Sequence, residues 1–328
     1  MKAVYIKTFG GAENLEVTEV PDPPKPAGSK VLVSVRAAGL NRADLLQRRG
    51  LYPPPAGYSP NIPGLEFAGE IVETGDAVIG WKTGDRVFGI TAGEAQAELL
   101  LIESSLLAKI PDNLSFTEAA AIPEAFITAH DAVFTQGELT IGETLLVHAV
   151  GSGVGLAAIQ LAKANGAKTV GTSRTADKLA RSREFGLDEA ILTGESPEFA
   201  EILKTKNSGH GVDVILDLVG GAYFPDNLKS LAPKGRLMLV GLTAGAKADF
   251  DLSVALSKRL RIIGTVLRGR SVEEKAEATR RFSEQVVPLL ADGRIRPNVD
   301  RIFPLDAVRD AHTYLESNKS FGKVILEF

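Results

Sequence analysis

The amino-acid sequence predicts an α/β protein with two domains, one rich in β-strands and one built on a doubly wound parallel sheet. Three observations predict this architecture. The chain has 328 residues, more than a single hydrophobic core usually serves. Its first third alternates short strand-like segments with turn signals, and its middle alternates apolar strands with amphipathic helices. We therefore expect one domain over residues 1–120, completed by residues 292–328, and a second over residues 121–291.

The N-terminal domain is predicted from side chains that alternate with a period of two. Residues 30–36 and 69–73 place apolar and polar side chains in turn, as half-buried strands do. Turns rich in proline or glycine separate these segments. Residues 324–328 also resemble a strand, and we expect this last segment to pair back with the N-terminal domain.

The second domain is predicted from strands that alternate with helices. We expect six strands, at residues 144–149, 169–172, 189–192, 212–218, 236–241 and 261–266. Helices are expected between the first four of these strands, near residues 154–163, 176–185 and 198–205. A long amphipathic helix at residues 274–290 leads out of the sheet. This rhythm is typical of a doubly wound parallel sheet.

Composition and charge argue against several classes of protein. The formal net charge is -4 and the basic residues are scattered, whereas a nucleic-acid surface needs a concentrated basic stripe. No apolar run approaches the roughly 20 residues that a membrane helix requires. The N-terminus resembles a strand rather than a signal peptide. We therefore expect a cytoplasmic protein with neither a membrane nor a nucleic-acid partner.

The chain contains no cysteine and only four histidines. The absence of cysteine excludes disulfides and thiolate metal ligands. The histidines are not spaced as metal ligands on a helix, and we interpret His130 and His148 as core or surface residues. We therefore predict a protein without a metal site.

Three glycines, Gly151, Gly153 and Gly155, lie between the predicted strand at residues 144–149 and the predicted helix at 154–163. Such a turn lets backbone amides approach a pyrophosphate at the positive end of a helix. The spacing does not satisfy Gly-x-Gly-x-x-Gly strictly. The strand before, the helix after and the repeated rhythm still predict a dinucleotide site.

The end of the second predicted strand lacks the acidic residue that binds the ribose hydroxyls in NAD-binding folds. Ser173 takes its place, and Arg174 and Lys178 follow. A carboxylate would repel a 2′-phosphate, whereas a hydroxyl and two cations bind one through charge-assisted hydrogen bonds. The pattern favours NADPH. The alternative is that Arg174 and Lys178 are ordinary solvated residues around a helix start.

Nearly end to end, the chain resembles the zinc-free medium-chain dehydrogenases/reductases of the quinone oxidoreductase family. It is most similar to the branch that a tumour suppressor induces in animals. The most specific segments are residues 38–44, 50–55, 63–69, 148–161 and 317–323. The resemblance implies a GroES-like substrate domain built from both chain ends and a Rossmann domain that binds NADPH. Zinc enzymes of this kind carry a cysteine at the position of Asn41 and a histidine near Leu65, so the resemblance implies that the catalytic metal is lost.

The resemblance also implies roles for individual residues. Asn41, Tyr52 and Thr128 match catalytic positions around the nicotinamide and the substrate. The residues that match cofactor-binding positions are Asn41, Thr128, Ser152, Gly153, Val154, Ser173, Arg174, Lys178, Gly241, Leu242, Thr243, Thr265, Val266, Leu267, Asn318, Phe321 and Lys323. Relatives often carry a tyrosine at the position of Thr193, so one adenosine contact differs.

Each of these roles has a structural alternative. Asn41 could hold a turn through its side chain, and Tyr52, beside prolines, could simply pack. We interpret Asp44 and Glu66 as structural, because isolated carboxylates in such patterned segments more often cap or pair than catalyse.

The expected reaction is hydride transfer from NADPH to a quinone or a similar conjugated carbonyl compound. A quinone is already electrophilic and its reduced form is a stabilised anion, so no metal is needed. The nearest alternative is a zinc-free enone or alkenal double-bond reductase, which needs the same apolar pocket and cofactor. A rival of another class is a non-catalytic role, such as the crystallin or RNA-binding behaviour of some relatives. The acidic net charge and the cofactor residues argue against that role.

A homodimer is also expected. It rests on the family resemblance and on the apolar strand predicted at residues 261–266, near the edge of the sheet. An unpaired apolar edge is a liability that a second copy would cover.

Overall fold

The computed structural model of the chain describes residues 1–193, 197–206 and 209–328. Its strands are β1 (Lys2–Ile6), β2 (Leu15–Glu19), β3 (Lys30–Leu40), β4 (Glu66–Thr74), β5 (Arg86–Ile90), β6 (Leu99–Glu103), β7 (Leu107–Lys109), β8 (Thr144–Val147), β9 (Lys168–Ser173), β10 (Glu189–Leu192), β11 (Val212–Asp217), β12 (Leu231–Leu239), β13 (Arg261–Gly264), β14 (Val299–Pro304) and β15 (Lys323–Glu327). Its α-helices are α1 (Arg42–Arg48), α2 (Phe116–Ala119), α3 (Thr128–His130), α4 (Gly153–Ala164), α5 (Ala176–Ser182), α6 (Phe199–Lys206), α7 (Phe224–Ser230), α8 (Leu252–Lys258), α9 (Val272–Gln285), α10 (Val287–Ala291) and α11 (Val308–Glu316). Two π-helical turns, Pro123–Ile127 and Asp131–Gln136, flank α3.

These elements form two compact units, one of Met1–Ile127 with Leu267–Phe328 and one of Thr128–Val266. The boundary expected after residue 291 differs, because α9 belongs to the first unit. Phe282 of α9 packs edge-on against Phe88 of β5, with ring centroids 5.8 Å apart. The amphipathic pattern of α9 shows that one face is buried, but not which core covers it.

The first unit is built on a mixed sheet with the order β14-β15-β3-β4-β5-β7. The long strand β3 pairs along its first half with β6 and along its second half with β15. In the second pairing Val324 lies opposite Leu40. The predicted return of the chain end to the N-terminal region is therefore confirmed. The strands β1 and β2 form a separate antiparallel pair.

The alternating pattern of β3 explains how this sheet covers its core. Val31, Val33 and Val35 are buried, whereas Ser34 is half-buried and Arg36 is exposed. Side chains on a strand alternate between its two faces, so these three valines face one apolar cluster. The period-two prediction for this segment is confirmed.

The second unit is a parallel sheet whose described strands follow the order β10-β9-β8-β11-β12-β13. Each neighbouring pair is parallel. The chain runs outward from β8 in one direction and from β11 in the other, so the strand order reverses between them. Ligands of such sheets bind at the carboxyl ends of the strands beside this reversal. The predicted doubly wound sheet of six strands is confirmed.

The single helix expected over residues 274–290 is wrong. The structure has two helices there, α9 and α10, separated at Val286. Pro288 lies in the first turn of α10 and has no amide hydrogen to donate within a continuing helix. At the other end, Ser271 and Glu274 cap α9 reciprocally, with the Glu274 amide donating to Ser271 Oγ at 3.2 Å.

Across the described ranges, no helix is long and apolar enough to cross a membrane.

Candidate active site

The loop between β8 and α4 has the geometry of an anion-binding turn. Ala149 has a φ of 51°, in the left-handed region that non-glycine residues seldom adopt. Ser152 caps α4, because its Oγ accepts a hydrogen bond from the Gly155 amide at 3.1 Å. A Cβ at Gly155 would lie 2.6 Å from the carbonyl oxygen of Val150. The absence of a side chain at Gly155 therefore lets the helix start directly against the loop.

The capped start of α4 offers backbone amides to a ligand. The first amides of an α-helix have no acceptor inside the helix, and the Ser152 cap uses the one of Gly155. The amides of Gly153 and Val154 thus face the position where an anion would bind, at the positive end of a 12-residue helix. These residues fit the pyrophosphate of a dinucleotide.

His148 lies directly before the loop and is fully buried. Its Nδ1 lies 2.8 Å from Thr172 Oγ1 and its Nε2 2.6 Å from Asn227 Oδ1. Asn227 donates its own amide to Asp217 at 2.9 Å, so its oxygen is the acceptor and His148 Nε2 carries the hydrogen. Burial lowers the pKa of His148 and keeps the ring neutral. Its interpretation as a core residue is confirmed.

Ser173 ends β9 at the same edge of the sheet as the loop after β8, since Val147 of β8 pairs with Gly171 of β9. Ser173 Oγ accepts from the Thr175 amide at 3.2 Å, which fixes the turn. Arg174 is exposed, and Lys178, in the first turn of α5, is half-buried. Strand β9 therefore ends on a hydroxyl followed by cations rather than on a carboxylate.

Thr193 follows β10, the next strand along this edge, and is buried. It donates to the Ser173 carbonyl at 3.3 Å and accepts from the Tyr223 hydroxyl at 3.0 Å. A tyrosine hydroxyl is thus present at this corner, although it comes from a distant part of the sequence. Nothing in the local sequence around Thr193 could have shown this.

Five more of the predicted residues follow neighbouring strands at this edge: Gly241, Leu242 and Thr243 after β12, and Thr265 and Val266 after β13. The Thr243 hydroxyl donates to the Leu218 carbonyl at 3.2 Å. The Gln136 side chain donates to Thr265 Oγ1 at 2.8 Å. Because β12 and β13 are parallel neighbours, these two loops lie side by side.

In the first unit the structure brings together Asn41 and Lys323, which lie 282 positions apart in the sequence. Lys323 Nζ donates to Asn41 Oδ1 at 2.6 Å and to the Leu40 carbonyl at 2.8 Å, and lies 2.5 Å from Glu66 Oε1. Asn41 Nδ2 donates to the same Glu66 oxygen at 2.8 Å. The three donors of the ammonium are thereby used, and the Asn41 amide is fixed in one orientation. These contacts support the interpretation of Glu66 as a structural residue.

Asp44 fixes the backbone next to Asn41. Its Oδ2 accepts from the Asn41 amide at 2.7 Å, and its Oδ1 accepts from the Gly64 amide at 3.0 Å. Burial raises the pKa of Asp44 to about 6, although both amides and the charges of Lys323 and Arg268 oppose the rise. Asp44 is the third residue of α1 and stabilises its start, which supports its interpretation as a structural residue.

Tyr52 is held in place by Arg268. The guanidinium carbon lies 4.9 Å from the centre of the Tyr52 ring, and Nη1 donates to the Tyr52 carbonyl at 2.9 Å. The remaining donors of Arg268 bind the Ala92 carbonyl and Gln47 Oε1. Burial raises the pKa of the Tyr52 hydroxyl, which therefore remains a hydrogen-bond donor.

Glu124 is a further charged residue that contacts Glu66. Its backbone amide donates to Glu66 Oε2 at 2.8 Å, and its side chain is half-buried. Burial raises the pKa of the Glu124 carboxyl to about 8, with the Glu66 charge adding to the effect and Lys323 opposing it. The carboxyl is therefore largely protonated at neutral pH. Sequence reasoning missed both Glu124 and Arg268, because no motif marks them and their partners are distant in the chain.

Comparisons with known proteins agree with both units. Residues 27–128 match the alcohol dehydrogenase GroES-like domain, and residues 153–284 match the zinc-binding dehydrogenase family. Quinone oxidoreductase-like protein 2 of Mus musculus is 33% identical over 307 residues, 92% of this chain and 86% of its own. The chain belongs to the medium-chain dehydrogenase/reductase family. The family and the fold class expected from the sequence are therefore confirmed, and the protein is an oxidoreductase.

Two solved medium-chain reductases illustrate how far the likeness extends. The structure of Escherichia coli quinone oxidoreductase complexed with NADPH is 31% identical, covers 100% of both chains, and has a TM-score of 0.89. The structure of CurK enoyl reductase is 26% identical, covers 99% of this chain and 98% of its own, and has a TM-score of 0.88. These relatives do not single out the tumour-suppressor-inducible branch, which stays a prediction.

The other residues predicted for the cofactor site of this medium-chain reductase differ in exposure. Asn318 is exposed and accepts a hydrogen bond from Arg42, whereas Phe321 is only 1% exposed and packs in the core. Thr128 is the first residue of the second unit and Leu267 the first of the returning segment. Both of these side chains are buried.

Residues 153–284 match a family named for zinc binding, whereas the sequence predicts no metal site. Among the described residues, no group of three or more His, Cys, Asp or Glu side chains could hold a metal ion. At the position where zinc enzymes of the family carry a cysteine, Asn41 is bound instead by Lys323 and Glu66. The absence of catalytic zinc stays a prediction.

Proposed function

We propose that the protein reduces quinones, or similar conjugated carbonyl compounds, by hydride transfer from NADPH without a metal. The observation that carries the cofactor assignment is the end of β9, where Ser173 is followed by the exposed Arg174 and the half-buried Lys178. A 2′-phosphate placed there meets a hydroxyl and cations instead of a carboxylate, and charge-assisted hydrogen bonds favour it. The E. coli relative solved with NADPH supports the same assignment.

The loop after β8 would hold the pyrophosphate. The amides of Gly153 and Val154 donate to it, and Ser152 keeps the helix start in place through its bond to Gly155. NADPH supplies the hydride, and the chain supplies orientation and a site shielded from water. The residues after β12 and β13 lie along the same edge and are suited to position the nicotinamide.

Asn41 and Tyr52 would face the acceptor. Lys323 and Glu66 fix the orientation of the Asn41 amide, and Arg268 holds the Tyr52 ring. A flat conjugated acceptor needs stacking and one or two hydrogen bonds to its oxygens, and the Tyr52 phenol can donate one of them. Electrophilic quinones accept a hydride without a Lewis acid on the oxygen, which agrees with a site built from an amide, a phenol and the buried Lys323–Glu66 ion pair.

A second candidate is the reduction of an enone or alkenal double bond. The likeness to CurK enoyl reductase, which shares this fold, favours keeping this candidate. We further propose a cytoplasmic homodimer with no nucleic-acid partner.

A steady-state screen of NADPH oxidation tests the proposal. The purified protein is offered quinones, enones and alkenals at matched concentrations, with NADH as the parallel cofactor. Quinones are expected to give the highest kcat/KM, and NADPH is expected to be preferred over NADH. Turnover of enones alone would transfer the assignment to the double-bond reductases, and no turnover of any acceptor would contradict the proposal.

A further inference from the structure

Glu124 is anchored directly beside the residues expected to face the acceptor. Its amide donates to one oxygen of Glu66 at 2.8 Å, and the other oxygen of the same carboxylate accepts from Asn41 at 2.8 Å. One buried carboxylate thus links the backbone of Glu124 to the side chain of Asn41. Glu124 therefore belongs to the same cluster as Asn41, although the two residues are 83 positions apart in the sequence.

Most hydrogen-bond donors and acceptors of this cluster are already bound to other groups of the protein. Both oxygens of Asp44 accept from backbone amides, the Lys323 ammonium has three acceptors, and Arg268 binds three oxygens. Within the part of the chain that the structure describes, no group hydrogen-bonds the Glu124 carboxyl or the Tyr52 hydroxyl. Both side chains are half-buried rather than sealed, so a bound molecule can reach them.

The charges around Glu124 keep its proton in place. The groups that act on it are the carboxylates Glu66 and Asp44, the cations Lys323, Arg268 and Lys275, and the phenol Tyr52. Burial outweighs the cations and raises the pKa of Glu124 to about 8. A carboxyl of this kind holds a proton at neutral pH and releases it readily to a more basic oxygen.

We propose that Glu124 is the proton donor for the acceptor's oxygen, a role that rests on the proposed reductase function. Reduction of a conjugated carbonyl by one hydride leaves both electrons on the acceptor and a negative charge on its oxygen. The Glu124 O–H bond breaks as the new O–H bond forms on that oxygen. The carboxylate left on Glu124 takes its next proton from water before the following turnover.

The first test compares Glu124→Gln with the wild-type enzyme across pH. Glutamine keeps the shape but cannot supply a proton, so kcat at neutral pH is expected to fall about 10- to 100-fold, at or below the low end of general acid catalysis. Wild-type activity is expected to decline as pH rises through about 8, and this decline should be absent in the variant. Glu118→Gln, in the exposed cap of α2, is the matched control and should behave as wild type.

The choice of acceptor sharpens this test. An electron-poor quinone gives a weakly basic reduced oxygen, which needs little help from an acid. The deficit of Glu124→Gln should therefore shrink for such quinones and grow for enones, whose reduced oxygen is more basic. An equal deficit with all acceptors would assign Glu124 to the support of the fold and overturn the proposal.

The second test needs no cofactor and no turnover. The Glu124 pKa rises from 4.5 to about 8 on folding, so the folded state binds the proton more tightly. The free energy of unfolding of the wild-type protein should therefore decrease as pH rises between these values. Above about pH 8 it should stop decreasing. The Glu124→Gln variant lacks this loss, so its stability relative to wild type should increase with pH. A difference that does not change with pH would overturn the proposal.

These readouts separate this inference from the proposed function. A wild-type protein that reduces no acceptor, yet shows the pH-dependent stability difference, would contradict the function while leaving the protonated carboxyl in place. Full activity of Glu124→Gln with an unchanged pH profile would overturn the inference alone. If Glu124→Gln does not fold, Glu124→Asp keeps an acid and should retain the alkaline decline in activity. If neither Glu124→Asp nor the wild-type enzyme shows this alkaline decline, the inference is overturned.

Discussion

At the scale of single residues, cofactor choice depends on the hydroxyl and the cations that follow β9. Ser173 is fixed by its bond from Thr175, while Arg174 extends into solvent. Each charge-assisted hydrogen bond to a phosphate contributes about 1.5–3 kcal/mol, and solvent exposure reduces this considerably. The preference for NADPH is therefore expected to be substantial but not absolute.

Replacing Arg174 and Lys178 together by alanine tests this preference. The KM for NADPH should rise about 10- to 100-fold, or about 1.4–2.8 kcal/mol, while the KM for NADH stays nearly unchanged. The turnover rate at saturating NADPH should hardly change, because the 2′-phosphate is bound equally in the ground and transition states. Lys168→Ala, at the opposite end of β9, is the control. An equal loss with both cofactors would show that the two residues support the fold instead.

Local sequence patterns predict the residues of the loop between β8 and α4 but not the partners of Asn41. The glycines and Ser173 lie in local patterns, so their roles can be inferred from neighbours in the chain. Lys323 was expected near the cofactor from resemblance alone, and the structure shows its ammonium bound to Leu40, Asn41 and Glu66. Contacts between residues this distant follow from the tertiary fold, which no local pattern encodes.

At the scale of elements, the start of α4 depends on its close approach to the loop before it. A Cβ at Gly155 would meet two backbone oxygens, those of Val150 at 2.6 Å and Ala149 at 2.8 Å. Backbone atoms cannot move aside as a flexible side chain can, so the helix itself would have to shift. The amides of Gly153 and Val154 would shift with it.

Gly155→Ala is therefore expected to weaken NADPH and NADH binding together, by roughly 10-fold or more, because both share the pyrophosphate. Gly269→Ala is the matched control, since a Cβ there meets nothing within 4 Å. Fluorescence titration with each cofactor measures the effect. Unchanged affinity for both cofactors would show that the helix start does not bind the pyrophosphate.

The order of the elements was predictable where strands and helices alternate, and less so elsewhere. The six strands of the second unit were expected from apolar runs bounded by turn residues, and all six are present. The helices α7 and α8 were missed, because seven residues are too few for a clear helical period. The break at Val286 was missed because the amphipathic pattern continues across Pro288.

At the scale of the whole molecule, the second unit exposes apolar side chains around one edge of its sheet. Strand β13 is the last strand of the sheet, and its Ile262 is 40% exposed. On α8, Leu252 and Leu256 are 72% and 80% exposed. An open edge flanked by apolar side chains is prone to association unless it is covered. A second copy of the chain, paired through this edge, would cover it.

We expect sedimentation to give a mass of about twice the 34.8 kDa chain. Ile262→Lys should shift the protein towards monomer, because a charge would have to be buried in the interface. Ile79→Lys is the control, since Ile79 belongs to the first unit and is 90% exposed. A single-chain mass for the wild-type protein at micromolar concentration would contradict the proposed dimer.

The central claim is that this medium-chain reductase transfers hydride with an amide, a phenol and a buried ion pair where zinc relatives use a metal. The measurement that tests it most directly is NADPH oxidation by the purified protein with a quinone, before and after chelator treatment, combined with elemental analysis. We expect no stoichiometric zinc and full activity in chelator, because the chain has no cysteine and Asn41 is bound by Lys323 and Glu66. About one zinc per chain, lost together with the activity, would contradict the account.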